Sequence, residues 1–142
     1  MPGGRATGLR CLDHTIVVSL WQPGAKASTL VGLQYHPGQT PILTREWTSD
    51  AIADGVLAAP VASADGNTVY VTGRDRKLWA LKTSDGKVKW SVPLDFLPQT
   101  PPSVSPDGLI LLGGGPPTRT SSHSRTWAIT ARWPGAATMS LR

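Results

Sequence analysis

The stretch that decides the fold is Ala58–Pro93, AAPVASADGNTVYVTGRDRKLWALKTSDGKVKWSVP. It divides into three short runs rich in β-branched and aromatic residues. Val69–Thr72 follows the turn Asp65-Gly66-Asn67, Lys77–Lys82 follows the polar turn Gly73–Arg76, and Lys87–Val92 follows Ser84-Asp85-Gly86. Apolar runs of this length, cut by Asp-Gly turns, form antiparallel hairpins. A single hairpin unit leaves both faces wet, so the rest of the chain has to supply neighbours.

Working outward, the segment before it has the same layout. Thr15–Leu20 and Thr29–Gln34 read as strands separated by Gln22-Pro23-Gly24. His36-Pro37-Gly38 turns the chain again, and Leu43–Thr48 ends near Trp47. Trp47 and Trp90 lie 43 residues apart, and Leu30–Leu33 lies 48 before Leu78–Leu81. Downstream, Pro60–Gly66 (PVASADG) returns as Pro102–Gly108 (PSVSPDG) after 42 residues, and Thr126–Ile129 follows Leu78–Leu81 by 48. Self-similarity at this spacing is the signature of propeller blades, with loop lengths accounting for the small differences in offset.

The expected fold is therefore all-β: two to three four-stranded antiparallel blades at about residues 14–50, 58–94 and 102–130. The 15 glycines and 13 prolines suit many turns and leave no window for a capped helix. Residues 1–13 show no periodicity and read as a disordered lead-in, and 131–142 read as an irregular tail. The third unit degrades: Leu109–Leu112 and Thr126–Thr130 are strands. Gly113–Pro117 is a breaker between them, and Thr118–Ser124 is a polar loop. Trp133-Pro134-Gly135 stands out of register where a closing Gly-x-x-x-Trp belongs.

The central unit resembles the quinoprotein-type β-propeller repeat, the family of PQQ-dependent alcohol dehydrogenases and of assembly lipoproteins of the BamB kind. The resemblance rests on Val69-Tyr70-Val71 after Asp65-Gly66, on Leu78–Leu81, and on Ala80, Gly86 and Trp90. Those last three match the alanine, glycine and tryptophan of the family pattern Ala-x-Asp-x-x-Thr-Gly-x-x-x-Trp. Lys82 replaces its Asp, and Asp85 its Thr. The resemblance implies that the tryptophan stacks across a blade boundary and that the turn before it fixes the stack. The structural repeat positions are thus Trp47, Ala80, Gly86 and Trp90, with the turn pairs Asp65-Gly66 and Asp107-Gly108. Gly86 supplies the positive φ a tight turn needs, and each tryptophan can remove about 150–250 Å² from water.

In the dehydrogenases the resemblance would imply PQQ beneath a vicinal disulfide, with Ca²⁺ held by side-chain oxygens. Cys11 is the only cysteine, Glu46 the only Glu and Asn67 the only Asn. A calcium ion wants six to eight oxygens, and this chain offers no such set in one place. His14, His36 and His123 lack metal-ligand spacing. Ser122-His123-Ser124 has no strand-to-helix elbow, and Gly113–Gly115 has no following Lys-Ser/Thr. No catalytic or metal residue is assigned, and no cofactor is expected beyond PQQ by resemblance.

The formal charge of +5 sits in the ends: Arg5, Arg10, Arg119, Arg125, Arg132 and Arg142, whereas His14–Pro117 is balanced. These arginines are scattered, with no interleaved aromatic ladder, so nucleic acid is not an expected partner. The longest apolar runs, Thr15–Trp21 and Leu109–Leu112, are too short to span a bilayer, and the first residues carry no signal-peptide h-region. Relatives of such repeats are mostly extracytoplasmic, which by resemblance places a parent protein there. Two to three blades do not close a ring, which needs four to eight. The expected partners are missing blades of a larger propeller, a protein that covers the open faces, or a second copy. The function expected is a non-catalytic structural or protein-interaction module, a fragment of a larger propeller. The alternative is a remnant of a quinoprotein oxidoreductase.

Overall fold

The computed structural model describes residues 5–12, 14–56, 58–98, 100–115, 125–132 and 136–141. Every regular element among them is a strand, and they form three antiparallel sheets in an open stack. The first sheet contains β1 (Arg5–Leu12), β2 (Thr15–Trp21), β3 (Ala27–Tyr35) and β4 (Leu43–Thr48) in that order, with β5 (Ile52–Ala53) also pairing with β3. The second has β6 (Val61–Ala62), β7 (Thr68–Gly73), β8 (Lys77–Lys82) and β9 (Val88–Pro93). The third has β10 (Leu97–Pro98) and β11 (Ser103–Val104) on one side of β12 (Leu109–Gly115), then β13 (Arg125–Arg132) and β14 (Ala136–Leu141). Each sheet thus runs as a four-strand meander, which is a propeller blade. The first strands β1, β6 and β11 lie side by side, as inner strands do around an axis.

Four sequence expectations are corrected. The lead-in at residues 1–13 contains β1, which pairs with β2 from Arg5↔Trp21 to Leu12↔Thr15. The tail at 131–142 contains β14, which pairs with β13 from Trp127↔Leu141 to Arg132↔Ala136. Neither segment shows a two-residue alternation, because a neighbouring strand with open N–H and C=O groups recruits backbone whatever its side chains are. Gly113–Gly115 is not a breaker but the end of β12, opposite Arg125 and Thr126. The blade boundaries move accordingly, to 5–53, 61–93 and 97–141. The Thr118–Ser124 loop, His123 and Trp133-Pro134-Gly135 lie outside the described residues.

The register exposes a three-fold repetition finer than the sequence spacing. One cross-strand row reads Arg10, Val17, Gly32, Trp47; the next reads Val61, Tyr70, Ala80, Trp90; the third reads Ser103, Leu111, Ala128, Ser140. In the first two sheets a bulge follows the small residue of the row, at Gly32/Leu33 and at Ala80/Leu81. Fifteen residues separate Gly32 from Trp47 and ten separate Ala80 from Trp90, so the β3–β4 hairpin carries five extra residues without disturbing the row.

The pleat sends alternate side chains to opposite faces, and the second sheet is apolar on both. Val69, Val71 and Leu81 pack with Val17, Leu30 and Trp47 of the first sheet. Tyr70, Leu78 and Ala80 pack with Ile110 and Leu112 of the third. The connecting segments finish each core. Ile52 and Val56 fill the first joint, and Leu94 and Phe96 the second. The segment between the first two sheets is pinned by buried serines. Ser49 Oγ accepts from Leu30 N (2.9 Å), and Ser28 Oγ accepts from Val56 N (3.0 Å).

Candidate functional site

The residues singled out by the sequence meet at the joints between sheets. In the first joint, Trp47 leaves β4 and lies across the β8–β9 turn of the next sheet. A Cβ added to Gly86 would sit 2.3 Å from the Trp47 ring, and one added to Gly32, on the other side, 2.1 Å from it. The indole is therefore held between two bare backbones, one from each sheet. Its Nε1–H donates to Thr83 O at 2.8 Å, which satisfies the one polar group the ring buries. Gly86 has φ +72°, so it supplies both the turn and the flat seat. Trp47 is 8% exposed.

The second joint uses the same row but is less complete among the described residues. Ala80 stands opposite Trp90, and the Trp90 ring is only half-buried. It tilts against Tyr70 at a centroid distance of 5.9 Å, and, like Val104 of the third sheet, it packs against the core between the second and third sheets. A cleft of about 300 Å³ remains beside it, walled by Tyr70, Trp90, Lys89, Asp65, Val104 and Asp107. Burial, and then the charge on Asp65, pushes the Tyr70 hydroxyl above its ordinary pKa. Lys89 Nζ donates to Thr68 Oγ1 at 2.6 Å.

The two Asp-Gly pairs form twin braces at the lip of this cleft. Ser63 Oγ donates to Asp65 Oδ1, which also accepts from Asn67 N at 3.0 Å. Ser105 Oγ donates to Asp107 Oδ1, and Leu109 N returns a bond to Ser105 Oγ at 3.0 Å. Each serine hydroxyl holds its carboxylate below the usual range, with backbone N–H groups adding to the effect. Gly66 and Gly108, both at positive φ, complete the turns. Asp85 braces the third turn through Lys87 N at 3.0 Å.

At the opposite end of the second sheet, Asp75 accepts from Trp79 Nε1 (3.1 Å) and from Lys77 N (3.2 Å). Burial raises its pKa, and these donors oppose the rise. Sequence reasoning passed over this aspartate, although its Gly-x-Asp turn ahead of an aromatic strand is visible at Gly73-Arg74-Asp75. A shallow apolar hollow of about 530 Å³ lies nearby, lined by Ala58, Ala59, Arg74, Leu97, Pro98 and Pro101. His36 bonds Thr44 Oγ1 at 2.8 Å, and His14 stacks on Tyr35.

Among the described residues no three His, Cys, Asp or Glu side chains converge. Glu46 lies exposed, accepting from Thr44 Oγ1 at 3.1 Å, and Asn67 lies in the Asp65 turn. Among the described residues no set of oxygen donors fits a PQQ–calcium pair. Among the same residues no helix is long and apolar enough to cross a membrane.

Three comparisons with known proteins agree with this architecture. The family model described as outer membrane protein assembly factor BamB matches residues 20–130. The chain belongs to that PQQ-like repeat family. It is 60% identical over 117 residues to Protein Rv3035 of Mycobacterium tuberculosis (strain ATCC 25618 / H37Rv), covering 82% of this chain and 28% of that protein. Its fold is similar to the crystal structure of BamB from Moraxella catarrhalis (TM-score 0.56, 16% identity, 75% of this chain and 29% of that one). It is also similar to europium-containing methanol dehydrogenase (TM-score 0.59, 17% identity, 90% of this chain and 24% of that one). The chain thus spans between 24% and 29% of the length of these three proteins. At these identities the two solved structures share the fold alone.

Proposed function

We propose that this PQQ-like repeat protein is a non-catalytic module whose packed sheets serve as a structural or protein-binding scaffold. The observation that carries the reading is the seating of Trp47 between Gly32 and Gly86. Gly86 of the family signature fastens one sheet to the next by seating Trp47. The carboxylates support the same reading, since Asp65, Asp75, Asp85 and Asp107 are each tied to the backbone or hydroxyl of their own loop. In Asp65, Asp85 and Asp107 the Oδ1 oxygen is committed to the turn that carries it. The family description as an assembly factor also favours contact with other proteins.

The rival is a quinoprotein oxidoreductase remnant, and direct titration separates the two. The purified chain, mixed with PQQ and Ca²⁺ and passed over a sizing column, is expected to elute without quinone absorbance. Stoichiometric co-elution would overturn the scaffold reading.

A further inference from the structure

We infer that the cleft between the second and third sheets is a carbohydrate-binding site, which takes a small neutral saccharide against the indole of Trp90. Its walls come from both sheets. Lys89 and Trp90 stand on β9, Tyr70 on β7, and Asp65 on the turn that precedes β7. Val104 ends β11, and Asp107 stands on the turn that follows it. The volume of about 300 Å³ lies at the small end of ligand pockets, which run from roughly 300 to 1,000 Å³. That leaves room for a short saccharide and not for a long chain.

Charge selects the class of ligand. Asp65 and Asp107 are both ionised at neutral pH, because the Ser63 and Ser105 hydroxyls, with backbone N–H groups, hold their carboxyls below the ordinary range. Lys89 adds a cation to the same wall. Its Nζ donates to Thr68 Oγ1 at 2.6 Å, and its charge acts on Asp65, more weakly than the Ser63 hydroxyl does. An anionic ligand meets two carboxylates, and a cationic one meets the ammonium. A purely apolar ligand strips water from all three groups and returns nothing. A neutral molecule rich in hydroxyls escapes each of these penalties. A hydroxyl donates and accepts, so it can serve a carboxylate or an ammonium, and hydrogen bonds to charged partners are the stronger kind. The bonds that brace the two carboxylates fall on Oδ1, so Oδ2 is the oxygen a ligand hydroxyl would meet.

The half-buried Trp90 ring supplies the apolar part of the site. An aromatic face is apolar and carries the negative side of its quadrupole, and the C–H face of a sugar ring is the surface that suits it. Tyr70, tilted at 44° to the indole, braces that ring. The equivalent ring of the first joint offers no such surface, since Trp47 is enclosed between Gly32 and Gly86. The inference goes beyond the scaffold reading and does not rest on it, so the quinone titration and the test below fail independently.

The test is isothermal titration of the full 142-residue chain with maltose, cellobiose, chitobiose and trehalose, beside agmatine as a cationic probe and citrate as an anionic one. At least one disaccharide is expected to bind one-to-one with a Kd of about 1 mM or tighter, and neither ion is expected to bind. Lys89→Met is expected to weaken that binding by about tenfold, as loss of a charge-assisted hydrogen bond does, and Trp90→Ala by more. Lys89→Met leaves the aromatic ring and the core in place, so it keeps the test decisive where Trp90→Ala fails to fold. Absence of binding by every disaccharide, binding that a folded variant leaves unchanged, or uptake of agmatine or citrate instead overturns the inference.

Discussion

The two joints of the stack use one cross-strand row and finish it differently. In the first, an indole closes the gap between sheets, its ring between two glycines and its N–H on a carbonyl. In the second, the opposing residue is Ala80, the Trp90 ring leans on Tyr70, and a cleft of about 300 Å³ stays beside it. One methyl group on the inner partner separates Ala80 from Gly32. At Gly32 a Cβ would collide with the ring, so Trp90 over Ala80 cannot lie as flat as Trp47 does. A repeat can thus keep its register and vary its closeness through single small residues.

The largest effects test that contrast directly. Trp47→Ala removes a buried ring and its hydrogen bond, and is expected to cost about 3–5 kcal/mol. Trp90→Ala, at a half-buried ring beside an existing cleft, is expected to cost about half as much. Chemical denaturation of both variants checks this, and equal losses would erase the distinction between the joints. Gly86→Ala comes next. It combines a left-handed φ with a Cβ inside the Trp47 ring, so it should lose more than about 2 kcal/mol. Gly66→Ala has a similar φ with open space around it, and is expected to lose only about 1 kcal/mol.

Smaller effects come from the carboxylate braces, and pH reads them. Ser63→Ala removes the hydroxyl that donates to Asp65 and accepts from Thr68 N, at a cost of about 1 kcal/mol at neutral pH. The Asp65 carboxyl titrates lower in the folded chain than in the unfolded one. Its contribution is therefore full above the ordinary carboxylate range and fades as pH falls through the folded value. The gap between wild type and Ser63→Ala should narrow below about pH 4, which thermal melts across pH would show. Asp75 has the opposite sign, because burial raises its carboxyl. The wild type should lose stability relative to Asp75→Asn as pH rises through the carboxylate range. The amide oxygen keeps a bond from Trp79 or Lys77, and solvent screening holds the difference to about 0.5 kcal/mol.

The sequence made the second sheet legible because each of its cues is local. Asp-Gly turns, a two-residue alternation and a closing tryptophan all lie within Ala58–Pro93. The strand character of Arg5–Leu12 and Ala136–Leu141 was not legible, since those strands exist through pairing with β2 and β13. That Trp47 stacks across a sheet boundary was implied by the family resemblance, but that Gly86 of the next sheet is its seat was not. That Gly32 forms the other wall was hidden, because glycine in a strand reads only as weakness until the opposite residue is known. That Ser140 stands at the end of the third row was hidden too, since a serine carries no signature and Trp133 lies seven residues before it.

The five extra residues of the β3–β4 hairpin have a practical consequence. Pairing from Tyr35↔Leu43 inward is intact, and the space around Gly38 is empty. Length can be added at this tip without transmitting any displacement to the ring of Trp47. The tip is therefore a natural graft point for a reporter peptide or fluorophore, one that would leave the stacking of the sheets as it is.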